Sequence, residues 1–124
     1  ILVVISIIGI LIAIGAAAFS TAQKKGRDAR RRADIKQYQS AFEQYYSAND
    51  GDGTCAVMES GFVGFAPTDP KSGAGYDCTV DATNTAYCVC ATLDNTSSGN
   101  ASGGAAGACT FVSGGTDFCV ESLQ

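Results

Sequence analysis

Hydrophobic and polar positions divide this 124-residue chain into zones. Residues 1–23 are uncharged and almost wholly apolar, long enough as a helix to cross a hydrocarbon core of about 30 Å. From Lys24 to about Ala48 there is no proline, and apolar side chains recur at spacings of three and four. The pattern predicts one helix of about 48 residues, spanning a membrane in its first half and amphipathic in its second.

Two other interpretations of the apolar segment are less favourable. A buried core helix of about 48 residues would leave only about 80 residues to surround it. A signal peptide would have a charged region before a shorter apolar core, whereas here the helical pattern continues beyond the span. No Met precedes Ile1, as expected of a processed or incomplete N-terminus. The segment is therefore interpreted as a membrane span.

An apolar stripe on the second half of the helix predicts where a globular head packs. The stripe consists of Ile35, Tyr38, Phe42 and Tyr45, with alanines at 29, 33 and 41 extending the face. The seven bases at positions 24, 25, 27, 30, 31, 32 and 36 are assigned to the other faces. The polar and glycine-rich residues 49–53 predict the end of the helix.

Residues 50–124 are expected to form a head of short strands. Residues 76–80 and 86–93 flank a turn, and residues 109–112 face 117–120 across 113–116, so two antiparallel hairpins are predicted. Both faces of the strand at 86–93 are apolar enough to be covered, one of them by the helix stripe. The low-complexity segment 95–107 is predicted to be an exposed loop. The fold class is α+β, with domains at 1–23, 24–49 and 50–124.

All six cysteines lie in the head, and an even number in a small glycine-rich region predicts up to three disulfides and an oxidising compartment. The sequence does not choose among the possible pairings, but Cys119 is expected to pair with the strand that carries Cys88 and Cys90. The disulfide candidates are Cys55, Cys78, Cys88, Cys90, Cys109 and Cys119.

The composition argues against catalysis and against a metal or cofactor. Without histidine there is no Ser-His or Cys-His couple, and a zinc site would need four of the cysteines, which lack zinc-ribbon spacing. Asp50, Asp52 and Thr54 resemble the start of a calcium loop, but its twelfth position is Gly61 instead of a bidentate glutamate. A helix stop and turn is favoured there. Asn95 and Asn100 begin two N-x-S/T sequons, which makes them glycosylation candidates.

Charge is as segregated as hydrophobicity. Residues 1–36 sum to +5 and residues 37–124 to −9. A basic run after the span favours a cytoplasmic location for that run, whereas the cysteines favour an external head. The conflict disappears if the bases contact acidic copies of the same protein. The inter-subunit candidates are Arg27, Arg30, Arg31 and Arg32, with carboxylates such as Asp50, Asp52 or Glu59; a solvated face or a lipid headgroup contact is the alternative.

The segment ILVVISIIGILIAIGAAAFSTAQ and its amphipathic continuation resemble the N-terminal helix of type IV pilins and the related pseudopilins, over about the first 48 residues. The head resembles that family only in layout, with a loop after the helix, an antiparallel sheet and a disulfide-bearing C-terminal region. The family's methylated first residue and early glutamate precede the stretch that begins at Ile1, so the role of that glutamate is assigned to no residue here. The segment IGAAAFS also lacks the proline of many bacterial pilins, and Gly9 and Gly15 are expected to let the helix unwind in a filament.

The resemblance implies a precursor cleaved by a prepilin peptidase, held in the bacterial inner membrane and polymerised by a pilus assembly machine into an extracellular helical filament. A major pilus subunit for motility, adhesion or cell contact is the function it favours. A pseudopilin of type II secretion and a membrane-anchored cysteine-rich binding module are the alternatives. Direct nucleic-acid binding is not expected, because residues 37–124 hold ten acids and one base.

Overall fold

The computed structural model describes residues 1–49, 51, 53–62 and 64–123, and shows one long helix followed by a small sheet. The predicted α+β class with a disulfide-bearing antiparallel head is confirmed. The elements are α1 (Leu2–Asn49), α2 (Cys55–Glu59), β1 (Asp77–Val80), β2 (Tyr87–Thr92), β3 (Gly99–Ala105), β4 (Ala108–Gly115) and β5 (Asp117–Glu121).

Helix α1 is continuous over 48 residues, as the sequence pattern predicts, and measures about 70 Å. No proline interrupts it. In its last turn, Asn49 Nδ2 donates a hydrogen bond to the Tyr45 carbonyl oxygen at 2.9 Å. The calcium-loop residues Asp50 and Asp52 lie outside the described residues. Helix α1 therefore carries both the span and the surface on which the head is built.

The head packs on the predicted stripe of α1. Ile35, Tyr38 and Phe42 are at most 1% exposed, and Tyr45 packs at the edge of the same core. Phe42 meets Tyr87 of β2 edge-to-face with ring centroids 5.0 Å apart. Each such side chain contributes about 1.5–3 kcal/mol when fully buried, so the stripe is the main apolar attachment of the head.

The stripe includes Ala41, which packs against the core, but it does not extend to the other two alanines that were assigned to it. The side chains at 29 and 33 are exposed, so that part of the prediction is wrong. The buried face instead runs toward the N-terminus through Arg31 and Asp28, which are 3% and 4% exposed. The steps 28, 31, 35, 38 and 42 keep the helical spacing, so the apolar stripe becomes a charged one without changing direction.

The first predicted hairpin is confirmed. β1 pairs antiparallel with β2, and the register places Cys78 opposite Val89. Asp81 closes the turn, because its backbone nitrogen donates to the Ala86 carbonyl oxygen at 3.0 Å and its carboxylate accepts from the backbone nitrogens of Thr85 and Ala86. This is the local hydrogen bonding for which aspartate is favoured in turns.

The second predicted hairpin is wrong. The sheet order is β1-β2-β5-β3-β4, so β5 pairs with β2, and β3 lies between β4 and β5. Both β4 and β5 run antiparallel to β3 and therefore point the same way. The chain bends near the end of β4 at Gly114, whose φ is +70°, and enters β5 after Thr116 without reversing.

The predicted exposed loop at 95–107 is also wrong in part, because it contains β3. Ala101 of β3 is fully buried. The strand forms because the backbone of β3 approaches those of β4 and β5 closely. A Cβ at Gly99 would overlap the Asp117 carbonyl oxygen, and a Cβ at Gly115 would overlap the Ala101 carbonyl oxygen. Small residues are thus required where β3 meets its neighbours, despite their low intrinsic preference for strands.

Both faces of β2 are covered, as predicted. Tyr87, Val89 and Ala91 face the α1 core, while Cys88 and Cys90 belong to a second cluster with Ala101 and Cys119. The β3–β4 hairpin lies over this second face, since a Cβ at Gly104 would collide with the Cys88 sulfur.

All six cysteines are paired, as Cys55–Cys78, Cys88–Cys109 and Cys90–Cys119. The expected link from Cys119 to the β2 strand is confirmed. A disulfide of this loop size contributes about 3 kcal/mol by restricting the unfolded chain. The first bond ties α2 to the sheet, and the other two fasten β4 and β5 to β2.

The close approach at Gly115 generates a prediction. Gly115→Ala should lower the free energy of unfolding by about 1–3 kcal/mol, because the new methyl group meets the β3 backbone. Gly75→Ala is the matched control, since a Cβ there meets nothing within 4 Å and should change stability by less than about 0.5 kcal/mol. Urea unfolding of the full chain in detergent, followed by tyrosine fluorescence, measures both; equal stabilities would contradict the packing argument.

Candidate assembly surface

The N-terminal half of α1 is apolar and uncovered. Its large apolar side chains are all at least 50% exposed, and the most apolar 18-residue window has a mean hydropathy of 2.9 with none of it buried. This helix is long and apolar enough to anchor the chain in a membrane. The exposed side chains are Ile1, Leu2, Val3, Val4, Ile5, Ile7, Ile8, Ile10, Leu11, Ile12, Ile14 and Phe19.

Both glycines of the span lie within unbroken helix in the single subunit. A Cβ at Gly9 or Gly15 would meet nothing within 4 Å, so neither is required by packing inside this chain. Glycine in a helix costs about 1 kcal/mol relative to alanine, which is the physical basis of the expected unwinding. That expectation concerns the assembled filament and stays a prediction.

At the junction of span and head, a buried guanidinium organises the polar contacts. Arg31 Nη1 lies 2.8 Å from Asp28 Oδ1 and 3.4 Å from Asp94 Oδ2, and its Nε donates to Asp69. The Arg31 side chain is 3% exposed. Three segments meet at this one side chain: α1 itself, the loop before β1 and the loop after β2.

The carboxylates of this cluster also hold the backbone. Asp28 accepts from the backbone nitrogens of Asp94 and Asn95 at 2.8 and 3.0 Å. Asp69 accepts from those of Lys71 and Ser72, both at 2.8 Å. The cluster therefore fixes loop conformation as well as charge.

These contacts shift the ionisation of the groups involved. Hydrogen bonding to Arg31 holds the pKa of Asp69 well below its ordinary value and raises that of the Arg31 guanidinium. Burial raises the pKa of Asp94, but Arg27 and Arg31 outweigh it and the net shift is downward. Nearby, burial and the hydrogen bond from its hydroxyl to Asp34, at 2.7 Å, raise the pKa of Tyr76.

Three of the four inter-subunit candidates have partners in their own head. Arg27 Nη2 lies 2.6 Å from Asp94, and Arg32 Nη2 donates to the Ser98 carbonyl oxygen at 2.7 Å. Arg31 lies in the buried cluster, on the same face of α1 as the stripe. The prediction that all seven bases lie on other faces is therefore wrong for Arg31. Arg30 is exposed. Whether these arginines contact neighbouring subunits stays a prediction. Arg30 is the one of the four that its own head leaves exposed.

The two glycosylation candidates differ in accessibility. Asn95 is exposed. Asn100 is half-buried in β3, where its Nδ2 donates to the Cys119 carbonyl oxygen at 2.9 Å and its Oδ1 accepts from the Cys119 nitrogen at 2.8 Å. A glycan on Asn100 would disrupt this bridge to β5, so only Asn95 presents a free acceptor position in the folded head.

Four sulfurs in the head lie close enough together to suggest a metal site. Those of Cys88, Cys90, Cys109 and Cys119 are within 4.8 Å of one another. All four are consumed in two disulfides, which leaves no thiolate to bind a metal. The cluster is best described as a covalent second core.

The carboxylates of the Arg31 cluster were not predicted from the sequence. Asp28 and Arg31 did carry a signal, because they continue the 35–38–42 spacing of the stripe. Asp69 and Asp94 carried none, since they belong to loops whose position depends on the folded sheet.

Comparisons with models of protein families, with curated proteins and with solved structures find no match to this chain. Its function is therefore argued from the geometry above.

The buried cluster makes Arg31 a sensitive position. Arg31→Met should destabilise the head by about 3–5 kcal/mol, because it leaves Asp28, Asp69 and Asp94 together without their shared cation. Arg30→Met removes the same charge from an exposed neighbouring site and should change stability by less than about 0.5 kcal/mol. Urea unfolding compares the two; similar losses would show that the cluster does not hold the head.

Stability should also depend on pH in a defined direction. Asp69 and Asp94 have depressed pKa values in the folded state, so their stabilisation is complete above the unfolded value of about 4 and is lost as pH falls further. Burial, followed by Glu59 and Asp34, raises the pKa of Tyr38 to about 12, so its neutral form stabilises the head below about pH 10 and this is lost as pH rises through 12.

Thermal unfolding across pH tests the acid limb. Asp69→Asn should reduce stability at pH 7. Its loss of stability relative to wild type should shrink as pH falls below about 4, because the unfolded wild-type chain then binds a proton that the folded Asp69 carboxylate resists. Asp77→Asn, at an exposed β1 carboxylate, should follow the wild-type profile. A constant deficit for Asp69→Asn at every pH would contradict the ionic explanation.

Proposed function

We propose that this chain is the major structural subunit of a type IV pilus-like filament and polymerises through the N-terminal half of α1. The observation that carries the proposal is the division of one continuous helix. Twelve large apolar side chains up to and including Phe19 are uncovered, and the head covers one face from Asp28 onward. A head docked wholly on the second half leaves the first half available to neighbours.

The physical basis of assembly is packing. Moving the span from lipid into a bundle of identical spans removes little further water, so the gain comes from close contact between side chains. Ala13, Ala16, Ala17 and Ala18 keep one end of the span thin, and β-branched residues fill much of the remainder. Small side chains of this kind favour close helix approach.

The expected setting follows from the same features. The span supports a membrane-held precursor, and three disulfides support a head in an oxidising compartment. The resemblance of the first 48 residues to pilins places the proposed precursor in the bacterial inner membrane, with the prepilin peptidase and the pilus assembly machine as partners. The proposed product is an extracellular filament for motility, adhesion or cell contact.

A second candidate is a membrane-anchored cysteine-rich binding module. The core of the head is complete within one chain, because α1, α2 and the sheet bury each other without a partner. A single anchored copy would therefore also be a stable arrangement. A pseudopilin of type II secretion is the related alternative, in which the filament stays short and periplasmic.

Electron microscopy of sheared surface material from cells that produce this chain tests the proposal. Thin filaments that bind antibody to the head along their length are expected. Changing Ala13, Ala16 and Ala17 to Leu should keep the chain in the membrane fraction but reduce filament yield at least tenfold, since the thin end of the span is lost. Changing Ile7, Ile10 and Ile14 to Leu is the matched control and should lower yield much less.

The outcome separates the candidates. A chain found only in the membrane fraction, with no labelled filament, would contradict the pilus proposal and favour the anchored module. Labelled material confined to the envelope would favour the pseudopilin.

A further inference from the structure

Three basic side chains just beyond the span lack a partner among the residues that the structure describes. Lys24, Lys25 and Arg30 are exposed, and none makes an ion pair or side-chain hydrogen bond with the residues that the structure describes. At about 100° per residue they point to three different sides of α1, within about 9 Å along its axis. We refer to Lys24, Lys25 and Arg30 as the cationic collar.

The height of the collar matches the headgroup layer of a membrane that holds the span. The uncharged segment ends at Gln23, and the polar layer on each side of a bilayer is about 5–8 Å thick. Lys24 and Lys25 begin at its inner boundary. Arg30 starts above it, but helical side chains lean toward the helix N-terminus, which here is toward the membrane.

The lower edge of the head is compatible with an anionic surface at this level. The carboxylates beside the first turn after the collar lysines are Asp28 and Asp94, and both are paired: Asp28 with Arg31 at 2.8 Å and Asp94 with Arg27 at 2.6 Å. Arg27, Arg31 and Lys71, whose Nζ lies 3.7 Å from Asp94, thus balance the carboxylates Asp28, Asp69 and Asp94 where the head comes nearest the bilayer. The collar charges remain available to the lipid.

We propose that the cationic collar binds the phosphate groups of anionic phospholipids and so selects an anionic lipid shell around the membrane-held subunit. The inference rests on the membrane-held stage of the proposed function. Lipid is favoured over a second copy of the chain as the partner because the collar surrounds the helix at the end of the span, where the surrounding surface is the bilayer. Ammonium and guanidinium groups bind phosphate by charge and hydrogen bonding.

Lipid selectivity of the full chain tests the collar. The protein is reconstituted into phosphatidylcholine vesicles, and electron spin resonance measures how strongly trace spin-labelled phosphatidylglycerol is preferred over spin-labelled phosphatidylcholine in the shell next to the protein. A preference of about fivefold or more is expected for the wild type at low salt, weaker at high salt. The triple variant K24Q/K25Q/R30Q should fall to nearly equal preference.

The matched control is K36Q, which removes an exposed base outside the collar. Lys36 lies about 18 Å beyond Lys24 along α1, more than the screening length of about 8 Å at physiological salt. This variant should keep the wild-type preference. Both variants change exposed side chains only, so unfolding curves should match the wild type.

Several results would overturn the inference. The wild type would show no preference for phosphatidylglycerol, or the triple variant would keep the wild-type preference. Removal of the chain from the vesicles by an alkaline carbonate wash would equally contradict the inference, because the span would then not be embedded. Loss of filaments in the triple variant with lipid preference unchanged would assign the collar to contacts between copies instead. A preference for anionic lipid in the absence of filaments would contradict the pilus proposal alone. Filaments formed by a chain without that preference would contradict only the lipid-binding role of the collar.

Discussion

The buried guanidinium of Arg31 fixes the position of the head on the helix. An apolar stripe with a helical repeat specifies a face but leaves the height poorly determined, because a shift of one turn still presents apolar side chains. Arg31 removes that freedom, since removing its charge from water costs several kcal/mol unless carboxylates from both flanking loops reach it. Asp69 and Asp94 do so at only one height. The ionic contact therefore acts mainly as a register device, while the aromatic stripe supplies most of the attachment energy.

The position of the head determines what the rest of the helix is able to do. Because the lowest contacts of the head reach α1 at Arg27 and Asp28, the whole span below them stays uncovered. One turn lower, the head would meet the bilayer or block approach by a neighbouring span. The same register pairs Arg27 and Arg31 with carboxylates, whereas Lys24, Lys25 and Arg30 have no such partner in the described part of the chain. The exposure of the apolar segment and of the bases just beyond it thus both follow from one docking geometry, on which the proposed anchoring and packing depend.

Local patterns were enough to predict part of this structure. The helix, its stripe and the β1–β2 hairpin depend on periodicity and on turn chemistry such as that of Asp81, which act over a few residues. The burial of Arg31 was also visible in the spacing of the stripe, but a charged residue is normally assigned to a solvent face.

The remainder of the fold depends on contacts distant in sequence. β3 has a composition typical of loops and becomes a strand only because Gly99 and Gly115 let three backbones approach closely. Likewise, nothing local distinguishes a reversing turn at Ser113–Thr116 from the observed bend, which is decided by the pairing of β5 with β2. The partners of Arg31 and the exposure of Arg30 depend on where these loops end.

The second face of the sheet shows why the head combines so many small residues with so many cysteines. Glycine and alanine allow β3 and β4 to lie close over β2, but they bury little apolar surface and stabilise weakly. The cluster there consists of Cys88, Cys90, Ala101 and Cys119, so sulfur replaces the large apolar side chains of an ordinary core. Two disulfides at about 3 kcal/mol each supply the stability that such thin packing lacks. The large buried side chains of the head, such as Tyr87 and Val89, therefore lie on the α1 face of the sheet, and disulfides fasten β4 and β5 to β2 at the other face.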